Sequence, residues 1–109
     1  MGSGRGHRSN IEVFERILEQ VGLSSEIDPK LKRNLIELEQ VRNILLHKGA
    51  IVDSRFLEIC PWIGATAGTR FVPDNQHVMK YLDAVIKYGE LMRVRIASYF
   101  APKPSPATP

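Results

Sequence analysis

The sequence predicts an all-α domain: a bundle of about four helices, with a short irregular segment before a long C-terminal helix. Three observations carry that prediction. Apolar residues recur at three- and four-residue spacing through most of the chain. The longest helical patterns open on good N-cap residues, Ser9, Asp28 and Asp74. The period lapses over a long stretch only from Pro61 to Pro73, which contains Gly64 and Gly68.

The first helix is expected over residues 10–21. Ser9 followed by Glu12 is a capping box, Ile11, Phe14, Ile17, Leu18 and Val21 follow at helical spacing, and Gly22 supplies a left-handed stop. Leu23 to Ile27 reads as a loop. Asp28 as N-cap and Pro29 at the first helical position open the second helix, which closes at Gly49. His47 and Lys48 fall in its last turn, where positive charge suits the helix dipole. A shorter pattern from Ala50 to Ile59, with Val52, Phe56 and Ile59 apolar, predicts a third helix stopped before Pro61. Asp53 is expected to cap that helix rather than to orient His47.

In the irregular segment, TRFV at Thr69 to Val72 leans toward extended backbone. Trp62 and Phe71 could stack on a base but are expected to be buried against the bundle. The last helix should run from Asn75 to about Phe100 through Tyr81, Leu82, Val85, Tyr88, Met92, Ile96 and Tyr99. Gly89 in its middle costs about 1 kcal/mol relative to alanine, which points to a kink or a close helix approach. Residues 9–100 thus form one helical domain. They follow a disordered head at 1–8, which begins in a tag-like MGSGRG, and precede a disordered Pro-rich tail at 101–109 of linker composition.

At 109 residues the chain can bury one modest core, and domains of this size are often completed by oligomerisation. The sequence pI of about 9.2 comes from the tails. Of 15 lysines and arginines, Arg5, Arg8 and Lys103 lie there, so the body is balanced against its 12 acidic residues. Nucleic-acid binding would therefore depend on local clustering. Cys60 is the single cysteine, which excludes an intramolecular disulfide and a cysteine-cluster zinc site and fits a buried, inert thiol in a reducing compartment. No segment reads as a membrane span or a signal peptide, so a cytoplasmic protein is expected. Phosphate loops, zinc spacings, a serine elbow and EF-hand loops are all absent, so neither metal nor cofactor is expected. His7 and His77 read as surface residues.

The stretch from Leu31 to Gly49 contains groups that the helical period does not explain. On a wheel at about 100° per residue, Leu31, Leu35, Leu38, Leu45 and Leu46 form one apolar stripe with Arg42 near its middle. Asn43 and His47 share a different face with Ile36, with His47 about 140° from Arg42. A guanidinium on an apolar stripe is costly unless it has a partner or lines a polar site.

Arg42-Asn43-Ile44-Leu45-Leu46-His47 spells R-N-x-x-x-H, followed by Lys48-Gly49 and then Asp53-Ser54-Arg55-Phe56-Leu57 leading to Pro61. This pattern, late in the second long helix of a helical domain, resembles the HEPN superfamily (higher eukaryotes and prokaryotes nucleotide-binding) over roughly Ile11 to Tyr99. The resemblance implies a helical bundle that commonly pairs two-fold and brings two copies of the motif into one cleft. In active members that cleft is a metal-independent endoribonuclease site. Carried onto this chain, His47 would transfer protons as the ribose 2′-OH attacks the adjacent phosphate. Arg42 would stabilise the developing negative charge, and Asn43 would orient these groups. The residue types suit that chemistry: imidazole titrates near neutral pH, and a guanidinium grips phosphate oxygens in a fork. RNA would be the substrate, because DNA lacks the attacking hydroxyl.

Lys48 and Arg55 are candidate RNA-phosphate contacts. The separation of Arg42 from His47 on the wheel independently favours a homodimer, in which a symmetric partner supplies the missing group. Such a protein would belong to a toxin, antiphage-defence or RNA-processing system, with a cognate antitoxin or further domains as partners. In HEPN toxins regulated by nucleotidyltransferase antitoxins a tyrosine lies two residues after the histidine. Gly49 stands there, so the resemblance does not extend to that form of regulation. Two other readings stay open: a non-catalytic HEPN module for RNA or nucleotide binding or for dimerisation within a larger protein, and an unrelated helical adaptor in which Arg42 packs against Glu12 or Glu90.

Overall fold

A computed structural model describes residues 9–101; of the segments expected to be disordered, 1–8 and all of 101–109 except Ala101 lie outside the described residues. The described chain is helical, in the order α1 (Asn10–Gln20), α2 (Pro29–His47), α3 (Ser54–Ile59), a 3₁₀ turn (Pro61–Ile63) and α4 (Asn75–Phe100). Among the described residues no β-strand forms, and no helix is long and apolar enough to cross a membrane. The all-α bundle with its long final helix is therefore as the periodicity predicts.

Each cap follows from its sequence. Ser9 and Glu12 close a reciprocal capping box, and the Asn10 amide donates to both oxygens of Glu39, which fixes the start of α1 to α2. At the other end Gly22 adopts φ +81°. Leu23 N–H donates to Leu18 and Gly22 N–H to Glu19, so a Schellman motif satisfies the orphan carbonyls. Asp28 caps α2 with Pro29 in its first turn, Asp53 caps α3 through the Phe56 amide at 2.8 Å, and Asp74 caps α4. His77 is more than a surface residue: its Nδ1 accepts from the Asp74 amide, and its ring lies edge-on to Phe71.

Helix α2 is central, packed on one side by α1 and most extensively by α4. The core gathers Val41 and Ile44 of α2, Val52, Phe56 and Cys60 of the α3 region, and Tyr81 of α4. Burial holds the Cys60 thiol neutral, its pKa pushed up to about 12, which makes it a packing residue.

Two expectations need correction. Residues 50–53 are not helical. Gly49 and Ala50 both have positive φ, which turns the chain out of α2, and Ile51 then forms an isolated antiparallel bridge with Arg70. Val52 and Ala50 exchange backbone hydrogen bonds with Gly68, Thr69 and Phe71, so the apolar spacing of Val52 reports burial from an extended segment. Gly89 makes no close helix approach: a Cβ there would meet nothing within 4 Å, and α4 runs through it unbroken.

Candidate functional site

The sector of α2 that turns to the core carries Glu37, Gln40, Val41 and Ile44. It is not the leucine stripe. Leu31, Leu35 and Leu38 are half-buried, while Leu45, Leu46 and Arg42 are exposed. The cost expected for a guanidinium on an apolar stripe is therefore avoided, because the stripe itself faces water at Arg42. Neither Glu12 nor Glu90 pairs with Arg42: Glu12 binds Ser9 and Lys32, and Glu90 binds Arg93. Arg42 instead edges an apolar groove of about 360 Å³ between α2 and α4, with Leu38, Leu45, Val78, Leu82 and Val85.

Asn43 and His47 project from another sector of the helix into a separate pocket of about 300 Å³. Ile44 and Gln40 also line it from α2, and Lys48, Asp53 and Arg55 close it from the following segment. The motif residues and both candidate phosphate contacts thus come together in one place, except for Arg42. The side chains of Arg42, Asn43, His47 and Arg55 make no hydrogen bond or ion pair with any described residue. Lys48 Nζ lies 4.0 Å from Asp53 Oδ2, an exposed pair of little energetic weight.

Elsewhere the buried polar groups are fully engaged. Glu37, only 1% exposed, accepts from Trp62 Nε1 at 2.9 Å and Tyr81 Oη at 2.5 Å and pairs with Lys80 at 2.8 Å. Burial pushes its pKa up, but the hydrogen bonds from Lys80, Tyr81 and Trp62 outweigh that and hold it below the ordinary glutamate range. Burial and the Glu37 carboxylate push the Tyr81 phenol well up. Trp62 is thereby tied to the bundle by its indole N–H, with Arg33 5.1 Å from its ring, but it stays exposed rather than buried as expected, while half-buried Phe71 packs on Phe56.

A second knot joins α1 to α4, which do not approach closely at the backbone. Arg95 makes a forked contact with Glu15 at 2.8 and 2.9 Å and donates to the Ser25 side chain and carbonyl, while Tyr88 donates to Glu15. Arg95 is the packed arginine with a carboxylate partner. Burial raises the Glu15 pKa, and the bonds from Arg95 and Tyr88 more than reverse it.

Gln40 is the site residue that the motif does not point to. It is 7% exposed and lines the Asn43 and His47 pocket, and its side-chain amide makes no hydrogen bond with any described residue. Its signal in the sequence is its place three residues before Asn43 and seven before His47, on the same side of the helix. Comparisons with protein-family models, with curated proteins and with solved structures return no match to this chain.

Proposed function

We propose that this chain is a HEPN-type, metal-independent endoribonuclease that works as a two-fold dimer. One observation carries the reading. The side chains of Arg42, Asn43 and His47, within two turns of α2, have no partner among the described residues, in a protein where the charged side chains of Glu37, Glu15 and Arg95 are closely paired. Groups left unengaged at such spacing are available to a ligand.

The division of the motif between two surfaces favours pairing. Within one protomer Arg42 edges the apolar α2–α4 groove, whereas His47 and Asn43 line the neighbouring pocket. Val78, Leu82 and Val85 of α4 and Leu45 and Leu46 of α2 leave that groove apolar and exposed, as a face awaiting a partner would be. A symmetric partner seated there would bring its own Arg42 toward the first protomer's His47. His47 would then take the proton of the 2′-OH as that oxygen attacks phosphorus. The bond to the 5′-oxygen breaks, a second proton is delivered to the leaving oxygen, and a 2′,3′-cyclic phosphate remains. The guanidinium would hold the charge that builds on the phosphoryl oxygens.

The test is cleavage of a fluorescent single-stranded RNA in EDTA, with an all-DNA strand and the His47→Ala protein alongside. Cutting of RNA alone, lost in the variant, supports the proposal. No cutting by the dimeric protein favours the second reading, a HEPN assembly module, for which the same exposed apolar groove speaks.

A further inference from the structure

The pocket beside His47 contains an amide that the reaction does not use. Gln40 is more than nine-tenths buried, yet neither its carbonyl nor its amino group has a partner among the described residues. A buried amide without hydrogen bonds is costly, and native structures rarely leave one so unless a ligand or water completes it. The side chain borders a pocket of about 300 Å³, at the small end of the range for organic ligands. Asn43 and His47 stand beside it, and Lys48 and Arg55 lie across from it.

We infer that this pocket is a base-selecting subsite, and that Gln40 reads an adenine next to the scissile phosphate. A glutamine amide offers one acceptor and one donor side by side. Adenine presents the complement, its N6 amino group to Oε1 and its N7 to Nε2. In single-stranded RNA the base can be splayed out to reach such a site. Arg55, exposed and unpaired among the described residues, is placed to hold the flanking phosphate as a fork. Gln40 touches the base and not the reacting atoms, so it sets specificity.

The inference rests on the ribonuclease reading, and its test keeps the two apart. A random-sequence RNA pool is cut with the full chain, and the product ends are sequenced. The wild type should favour adenine at one position beside the cut by about tenfold, within what one bidentate amide–base pair discriminates. Gln40→Glu, which keeps the shape but can only accept, should lose that preference and shift toward cytosine, whose N4 amino group donates to a carboxylate. Gln40→Met should cut with no preference at that position. A wild type without base preference, or an unchanged preference in both folded variants, overturns the inference. Should the wild type cut no RNA, the ribonuclease reading fails, and the pocket is tested by titrating 3′-AMP and 3′-UMP while the Gln40 and Asn43 side-chain amide signals are followed by NMR. Shifts that saturate with 3′-AMP at about tenfold lower concentration than with 3′-UMP support the adenine site. No shift with 3′-AMP at millimolar concentration overturns it.

Discussion

The two halves of α2 use polar residues in opposite ways. In the N-terminal half Glu37 sits inside the protein with a full set of partners from the 3₁₀ turn and α4. In the C-terminal half Arg42, Asn43 and His47 have none among the described residues. The same contrast separates two arginines: Arg95 is buried and holds Glu15 in a fork, and Arg42 stands exposed on an apolar groove. A charged group that stabilises a fold must recover its desolvation through hydrogen bonds, and Glu37 and Arg95 do so. Arg42 and His47 are not buried in the protomer, so they can be changed without such a cost.

The largest expected effect follows from that freedom. His47→Ala should lower RNA cleavage by roughly 10²- to 10⁴-fold, the usual contribution of a positioned acid–base group. Its melting temperature should stay near that of the wild type. Arg42→Ala should likewise leave stability within about 0.5 kcal/mol, as for surface substitutions generally. A melting temperature that falls with either change would show that the C-terminal half of α2 carries structure after all.

Glu37→Ala should give the opposite pattern. Removing the carboxylate leaves the Tyr81 hydroxyl and the Trp62 indole N–H without an acceptor and Lys80 without its counter-ion. The cost should be about 3 kcal/mol, read from urea unfolding. Any loss of cleavage should then track the unfolded fraction.

Titration sharpens the contrast further. Glu37 and Glu15 both have folded-state pKa values below the ordinary glutamate range. Their contribution to stability is therefore present above that range and is lost as pH falls through the lower folded values, where the native state must take up protons that the unfolded state already holds. At the other extreme the Cys60 thiol, raised from 9.0 to about 12, favours folding below pH 9. That contribution is lost as pH rises from 9 toward 12. Melting temperature against pH should thus be flat through neutrality and fall at both ends. In Glu37→Gln the acid limb should flatten while the alkaline limb remains.

How much of this was legible in the sequence depends on which signal carried it. Caps are local chemistry, and Ser9, Asp28, Asp53 and Asp74 act as their positions predict. The polar pocket was legible in part, because a helix places Asn43 and His47 together whatever surrounds it. The buried face of α2 was not. Its leucines form the more conspicuous stripe, but the irregular segment brings Trp62 over Glu37 and α4 brings Tyr81 and Lys80 to it, and those long-range donors make a carboxylate acceptable inside. The period of α2 cannot report on partners 25 and 44 residues away. Gln40 is silent in the sequence for the same reason, since the burial of a neutral amide leaves no mark on an apolar pattern. Residues 50–53 carry a helix-like spacing without being helical because Val52 is buried from an extended segment that pairs with Gly68 and Thr69, and burial alone does not distinguish the two backbones.

The smallest effect tests the apolar side of the comparison. Gly89 lies inside α4 with open space where a Cβ would stand, and it is not among the glycines of positive φ. In an isolated protomer Gly89→Ala should raise stability by about 1 kcal/mol, through helix propensity alone. Val85 and Met92, one turn to either side, share its face of α4. If a second copy packs its backbone against this part of α4, an added methyl group would meet that neighbour. Unfolding of Gly89→Ala at submicromolar and at high micromolar concentration separates the cases. A gain of the same size at both places the pairing surface away from Gly89, toward the groove at Arg42. A gain at low concentration that disappears at high concentration extends the surface along α4 to Gly89.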